Sequence, residues 1–142
     1  MNYWYINTEA KDFDGKSPHK QWIRHGRAFV SGYGYERKLQ RLQPDDICFM
    51  YANTKGVVAV GRVLERCDGQ ESKPPLVYCH LGQGPEYQTR VDWFLTFPHN
   101  AIPSDMLRAI IGWTSPQTIQ CIPNHEAAKQ LILYARQQAG GE

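Results

Sequence analysis

The chain has 142 residues, of which 42% are hydrophobic and 21% are charged, and its formal net charge is +2. These values are close to those of soluble globular proteins and argue against a disordered, collagen-like or coiled-coil chain. One domain over 1–142 is expected, because a chain of this length buries about 68% of its unfolded surface. No apolar run approaches the roughly 20 residues that cross a bilayer, and no signal peptide is recognised, so a cytoplasmic protein without membrane contact is expected.

The first part of the chain alternates between short strands and helices. Tyr3–Asn7 has the aromatic and branched residues of a strand. Ser17 and Pro18 predict the start of a helix, since serine can cap the first amides and proline fits the first helical position, and Gly26 predicts its end. An extended segment, a glycine-rich loop and a second helix are predicted at 28–30, 31–35 and 36–42.

The second part is predicted to be richer in strands. Apolar runs at 47–52 and 57–64, joined by a turn that ends in glycine, predict a hairpin, and a polar loop follows over 66–75. The remaining elements are predicted as two strands, a helix, a strand and a helix, at 76–81, 89–97, 102–111, 118–122 and between Asn124 and Gly140. This pattern indicates an α+β domain with a small, strongly curved mixed β-sheet or barrel flanked by short helices.

The sequence offers little for metal or covalent chemistry. Its four cysteines form no Cys-x-x-Cys pair, and Cys79 and His80, as neighbours on a strand, point to opposite faces. No metal and no cofactor are therefore expected, and the cysteines are expected to be reduced and mostly buried. No Gly-x-Ser-x-Gly motif marks a nucleophile, so no catalytic residues are expected. A small hydrolase or nucleotide-processing enzyme using His80 or His99 stays as an alternative.

A basic segment and its tyrosines are the features that favour a binding site. Residues 11–41 contain eight Lys or Arg and three acids, whereas the rest of the chain is net negative. Such a segment is the expected footprint of a polyanion site, and a merely solvated face is the alternative. Tyr33 and Tyr35 lie beside glycines in this segment, where a core role is least natural. Aromatic faces beside cations are what stacking on an unpaired or flipped base requires.

Several blocks of sequence, in chain order, carry a resemblance to a known family. The most specific block runs over Leu42–Asn53, with its Pro-Asp-Asp turn and apolar strand, and continues in Gly56–Val63. These blocks resemble the EVE domains of the PUA-like superfamily, with the YTH domains as close relatives. Further segments similar to EVE or YTH domains lie at Tyr3–Asn7, Val30–Tyr33, Val91–Leu95, Ile102–Leu107 and Ser115–Ile119.

The chain also departs from the family pattern at positions near the expected pocket. EVE domains usually carry an Arg-Asn pair where this chain has Ser31 and Gly32, and Arg-Leu-Ser where it has residues 115–117. The tryptophan that begins the YTH cage corresponds to Phe29 or Val30 here. The resemblance therefore supports the fold more directly than the ligand.

The resemblance implies a non-catalytic domain that takes up a flipped, methylated or hydroxymethylated base in an aromatic pocket. DNA is the preferred partner, an RNA-binding module of the PUA or YTH type is the alternative, and an effector domain or partner subunit would act on the result, as in modification-dependent restriction. The implied base pocket comprises Trp22, Phe29, Ser31, Tyr33, Tyr51, Asn53, Trp93, Gln117 and Thr118. The implied phosphate contacts are Lys20, Arg24, Arg27, Arg37 and Lys38.

Overall fold

The computed structural model describes residues 1–9, 17–78, 84–112 and 118–142. The strands within these ranges are β1 (Tyr3–Glu9), β2 (Arg27–Ser31), β3 (Ile47–Asn53), β4 (Gly56–Val63), β5 (Glu86–Thr96) and β6 (Ile119–Ile122). The helices are α1 (Pro18–His25), α2 (Tyr35–Leu39), α3 (Ser104–Ile111) and α4 (His125–Gly140). None of these helices is long and apolar enough to cross a membrane.

The strands form one mixed, strongly curved sheet in the order β2-β5-β4-β3-β1-β6. Strands β1 and β3 are parallel, and the other neighbouring pairs are antiparallel. The connection between the parallel strands is long, as parallel pairing requires, and it contains α1, β2 and α2. The α+β fold class with a curved mixed sheet, predicted from the sequence, is confirmed.

The helix boundaries show which sequence signals acted. Pro18 occupies the first turn of α1, and Gly26 ends it in the left-handed conformation, with φ of 63° and its N–H donating to the carbonyls of Trp22 and Ile23. Ser17 stands at the N-cap, but its side chain makes no capping hydrogen bond. At α4 the expected cap forms, because the Asn124 side chain accepts a hydrogen bond from the Ala127 N–H at 3.1 Å.

The predicted strand over 76–81 is wrong in its described part, since residues 76–78 are not in a strand. The amides of Leu76, Val77 and Tyr78 instead all donate to the carboxylate of Glu86, at 2.9, 2.8 and 3.0 Å. Successive amides of a strand point in opposite directions, so three that converge on one carboxylate cannot be part of a ladder. Residues 79–81 lie outside the described part of the chain.

Alternate residues of the strands face two different cores. In β1, Trp4 and Ile6 belong to one core, and Tyr3 and Tyr5 belong to the other. Helices α1 and α2 pack on the first core, and helices α3 and α4 pack on the second. We call these the α1/α2 side and the α3/α4 side of the sheet.

Three cysteines fall within the described residues. Cys48 and Cys67 are buried free thiols, and Cys121 is a half-buried free thiol. Burial raises the pKa of the Cys48 thiol above its usual range, so this side chain stays neutral in the core of the α1/α2 side. Cys79 lies outside the described residues.

Candidate functional site

Trp22 and Phe29, which the sequence analysis placed in the base pocket, are core residues. Both side chains are fully buried, and their ring centroids lie 6.3 Å apart. The Trp22 indole N–H donates to the Tyr78 hydroxyl at 3.2 Å. Neither ring can face a ligand without a change in this packing, which corrects the prediction. The cause is the short α1 helix, which buries Pro18, His19 and Trp22, the last being its largest inward side chain.

Trp93 is half-buried and is held by contacts within the protein. Its indole N–H donates to the Arg27 carbonyl at 3.0 Å, and its ring lies 6.4 Å from that of Trp22. The ring also packs against β4 at Gly61, where any Cβ atom would stand 2.6 Å from it. Trp93 therefore has a structural role on the α1/α2 side, and its polar atom is already used.

Tyr51 and Asn53 come from the other side of the sheet. Tyr51 packs on the core of the α3/α4 side, edge to face with Tyr5 at 6.4 Å between ring centroids. Asn53, two residues further along β3, is placed on the same side by the alternation of a strand. The sheet separates Tyr51 from Trp22 and Trp93, so the aromatic residues predicted as pocket walls do not enclose one pocket.

A further pocket candidate, Thr118, directly precedes β6. Thr118 is half-buried, and its carbonyl accepts a hydrogen bond from the Asn7 N–H at 2.9 Å. This bond continues the pairing of β1 with β6. Gln117 lies outside the described residues.

The loop between β2 and α2 presents Tyr33 to solvent. The loop is fixed at its base, since the Ser31 hydroxyl donates to the Gly84 carbonyl at 3.2 Å and the Gly32 N–H donates to the Pro85 carbonyl at 2.9 Å. The Tyr33 side chain is 84% exposed, more than any other large apolar side chain in the described part of the chain. An aromatic ring that contributes nothing to a core and stands on a fixed loop is suited to contact a ligand.

Cations lie on the helices before and after this loop and at the start of β2. Residues 17–42 contain six Lys or Arg and one carboxylate, Glu36. None of the six cations forms a salt bridge with a described residue. Most of these cations are exposed and lie on α1, in α2 or just after it, whereas Arg27 at the start of β2 is half-buried. The six cations are Lys20, Arg24, Arg27, Arg37, Lys38 and Arg41. The predicted phosphate contacts therefore lie in one segment, between β1 and β3, in which cations outnumber carboxylates.

Two of these cations lie over aromatic rings. The Lys38 ammonium stands 4.6 Å from the centre of the Tyr35 ring, and the Arg41 guanidinium stands 5.0 Å from the Trp4 ring. Such contacts contribute about 0.5–1 kcal/mol at exposed sites and orient the cation without neutralising it. The charge of the α1/α2 side is thus held in place and remains available to an anion.

Thr8 is a candidate that the sequence analysis missed. Its side chain is buried, and its hydroxyl oxygen has no hydrogen-bond partner in the described structure. The register opposite Ala52, whose side chain belongs to the core of the α1/α2 side, places Thr8 on that side. Leaving a buried hydroxyl unpaired costs about 1–3 kcal/mol, which a ligand contact would recover. A threonine in a strand is ordinary, so no sequence signal identified it.

Comparison with known proteins identifies the fold. No protein-family model matches the sequence, and no curated protein matches it significantly. The Toxoplasma CPSF4 YTH domain, solved with a 7-mer m6A-modified RNA, is similar in structure with a TM-score of 0.66 and 18% identity, over 96% of this chain and 91% of that one. The Pho92 YTH domain in complex with m6A gives a TM-score of 0.67 and 15% identity, over 94% and 85%. These similarities show that the chain shares the PUA-like fold of the YTH domains.

A third structure extends the comparison to DNA. Human THYN1, solved with 5-methylcytosine-containing DNA, matches this PUA-like domain with a TM-score of 0.57 and 12% identity, over 94% of this chain and 97% of that one. The three identities are all 18% or lower, and at this level the similarity establishes the fold. The resemblance drawn from the sequence is confirmed at that level.

The described part of the chain contains no cluster of three His, Cys, Asp or Glu side chains that could hold a metal ion. His99, a candidate in the hydrolase alternative, is an exposed residue whose backbone N–H donates to the Glu142 carboxylate at 2.9 Å. His80, the other candidate, lies outside the described residues.

Proposed function

We propose that this PUA-like domain is a non-catalytic reader of a modified base in nucleic acid. The observation that carries the proposal is Tyr33, an exposed ring on a fixed loop, within the segment 17–42 that contains six cations and one carboxylate. Stacking on such a ring contributes about 1–3 kcal/mol per base, and the cations neutralise phosphates. The similar structures that hold m6A-modified RNA, m6A and 5-methylcytosine-containing DNA support this class of ligand.

Discrimination of the modification requires polar contacts as well as stacking. A methyl group adds about 0.8 kcal/mol of apolar burial, which is less than a tenfold preference. We assign the polar contacts to Ser31, whose hydroxyl oxygen can still accept a hydrogen bond, and to the unpartnered hydroxyl of Thr8. An unmodified base that leaves such a group unpaired is rejected by the cost of its desolvation.

We propose DNA as the preferred nucleic acid, in line with the resemblance to EVE domains and with THYN1, of which this chain covers 97%. RNA is the second candidate, and the higher TM-scores of the YTH structures, 0.66 and 0.67 against 0.57, favour it. The 2′-hydroxyl separates the two. A protein that contacts it shows a strong preference for RNA over DNA of the same sequence.

Equilibrium binding to matched labelled oligonucleotides tests the function. The set contains single- and double-stranded DNA and RNA without modification and with methylcytosine, hydroxymethylcytosine or N6-methyladenine, all at one stated salt concentration. We expect at least a tenfold preference, about 1.4 kcal/mol, for one modified DNA over its unmodified counterpart. Equal binding to all strands, or no binding to any, would contradict the proposal.

A further inference from the structure

Two arginines stand directly opposite each other in the sheet. Arg27 of β2 is the register partner of Arg90 of β5. Like charges in directly opposed positions destabilise a sheet. Neither guanidinium forms a salt bridge with a described carboxylate, so no ion pair among the described residues offsets the repulsion. A bound anion would offset it.

The two arginines line a groove of about 350 Å³ between β5 and the segment 65–73. Arg66 and Lys73 add two more cations to its wall. A second, more open depression, which we call the shallow depression, is also lined by Arg27 and Arg90, so both residues can be reached by a ligand. We call the first depression the arginine groove.

The carboxylates near the arginines do not neutralise them. Glu71 pairs with Lys73 at 3.9 Å, and the Asp68 carboxylate accepts the Gln70 N–H at 2.9 Å. Two more carboxylates lie nearby, Glu65 in the groove and Asp92 in the shallow depression. None of these four carboxylates forms a described salt bridge with Arg27, Arg66 or Arg90. The three guanidinium groups therefore have no ion-pair partner among the described residues.

Arg27 is already held in position. Its guanidinium donates to the side-chain oxygen of Gln88, and the Gln88 amide N–H donates to the Ser72 hydroxyl at 2.8 Å. Ser72 is fixed in turn, because its backbone N–H donates to the Glu86 carbonyl at 2.8 Å. An arginine that is ordered before binding loses less conformational entropy when it binds.

We propose that the arginine groove binds a phosphodiester of the nucleic acid whose base is read on the α1/α2 side. Guanidinium groups match phosphate oxygens with paired N–H donors, and three of them without carboxylate partners suit this anion. Arg24, in the last turn of α1, continues the positive surface from that helix to Arg27. This inference rests on the proposed function and adds a contact to the strand beyond the base itself.

The test removes two guanidinium groups from the full chain in the double variant Arg66→Gln/Arg90→Gln. Both side chains are exposed, and loss of Arg90 relieves the repulsion with Arg27, so we expect a melting temperature no lower than that of the wild type. The matched control is Arg108→Gln/Arg136→Gln, which removes the same charge from exposed positions on α3 and α4. Affinities for a modified oligonucleotide and its unmodified counterpart are measured over a range of salt concentrations.

We expect the groove variant to bind both oligonucleotides about tenfold more weakly, with an unchanged preference for the modified one. The slope of log affinity against log salt should fall in magnitude by about 1.4–1.8, the contribution of two phosphate contacts. The control variant should match the wild type within about twofold.

The outcomes separate the inference from the function. A wild type that prefers the modified strand, with a groove variant that behaves like the control, would overturn the groove and leave the function standing. A wild type without preference, with a groove variant that binds more weakly, would overturn the reader function and support the groove. Inorganic phosphate that raises the melting temperature of the wild type but not of the groove variant, with oligonucleotide affinity unchanged, would assign the groove to a free phosphate compound and overturn the proposal.

Discussion

The two sides of the sheet are built alike and differ in what they expose. Both bury an apolar core against alternate residues of the same strands. Residues 17–42, on the α1/α2 side, carry six cations and one carboxylate, whereas α3 and α4 carry three cations and two carboxylates. On α4 one cation is paired, as Lys129 lies 3.4 Å from Glu126, while the cations of the α1/α2 side have no described salt bridge. The strands therefore determine the fold, and the segment between β1 and β3 carries an excess of cations without salt bridges, which is available to a negatively charged ligand.

The largest expected effect concerns the cores, where the two sides should behave alike. Trp22→Ala is expected to lower the free energy of unfolding by about 3–5 kcal/mol, because it empties a fully buried volume. Leu131→Ala, on the α3/α4 side, is expected to cost about 2–5 kcal/mol for the same reason. Urea unfolding monitored by circular dichroism measures both. A Trp22→Ala variant as stable as the wild type, with binding alone lost, would return Trp22 to the pocket.

A second prediction concerns the titration of the buried Cys48 thiol on the α1/α2 side and its effect on stability. Burial, reinforced by Asp46, raises the pKa of the Cys48 thiol despite its hydrogen bond to the Gly61 carbonyl. Since the folded pKa lies above the unfolded value of about 8.5, this contribution to stability is complete below that pH and is lost as the pH rises. Above pH 8.5 the wild type should lose up to about 1.4 kcal/mol per pH unit more than Cys48→Ala. Equal slopes would contradict a raised pKa of the Cys48 thiol in the folded chain.

Thr8 provides a smaller test, in which stability and binding move in opposite directions. Thr8→Val keeps the shape and removes an unpartnered buried hydroxyl, so we expect the free energy of unfolding to rise by about 1 kcal/mol and the affinity for the modified strand to fall. Thr89→Val is the control, because the Thr89 hydroxyl donates to the Glu65 carbonyl at 2.8 Å and its loss should destabilise. Destabilisation by Thr8→Val as well would show that the hydroxyl serves the fold.

The smallest expected effect on stability belongs to the exposed charges. Arg37→Gln/Lys38→Gln on α2 should change the free energy of unfolding by less than about 0.5 kcal/mol. The same variant should reduce the salt dependence of oligonucleotide binding by about 1.4–1.8 in slope. Lys129→Gln/Arg136→Gln on α4 should leave the slope unchanged. Equal reductions in both variants would show that the two sides contribute alike.

Local signals in the sequence were sufficient for most of the fold. Pro18 with Gly26, the turn before β4 and the cap at Asn124 each act within a few residues, and each marks an observed boundary. The strand expected over 76–78 fails because Glu86, eight to ten residues away, accepts the three amides. That contact depends on how the chain returns to β5, which no local pattern records.

The candidate site was less predictable, because it depends on which side each residue faces. The flanking glycines correctly indicated that Tyr33 has no core role, but the same prediction is wrong for Tyr35, which packs partly buried against the core of the α1/α2 side. Aromatic content could not show that Trp22 fills the core or that Tyr51 packs on the far side of the sheet, since core and pocket residues have the same composition. The opposition of Arg27 and Arg90 likewise follows from strand register, which becomes visible only in the folded chain.

The measurement that tests the account most directly compares Tyr33→Ala with Tyr51→Ala in binding to a modified oligonucleotide and its unmodified counterpart. The two variants remove the same aromatic group from opposite sides of the sheet, and circular dichroism confirms that each is folded. We expect Tyr33→Ala to lose about tenfold or more in affinity, together with the preference for the modified base, and Tyr51→Ala to keep that preference. A preference that survives in Tyr33→Ala and disappears in Tyr51→Ala would contradict the account and place base recognition on the α3/α4 side.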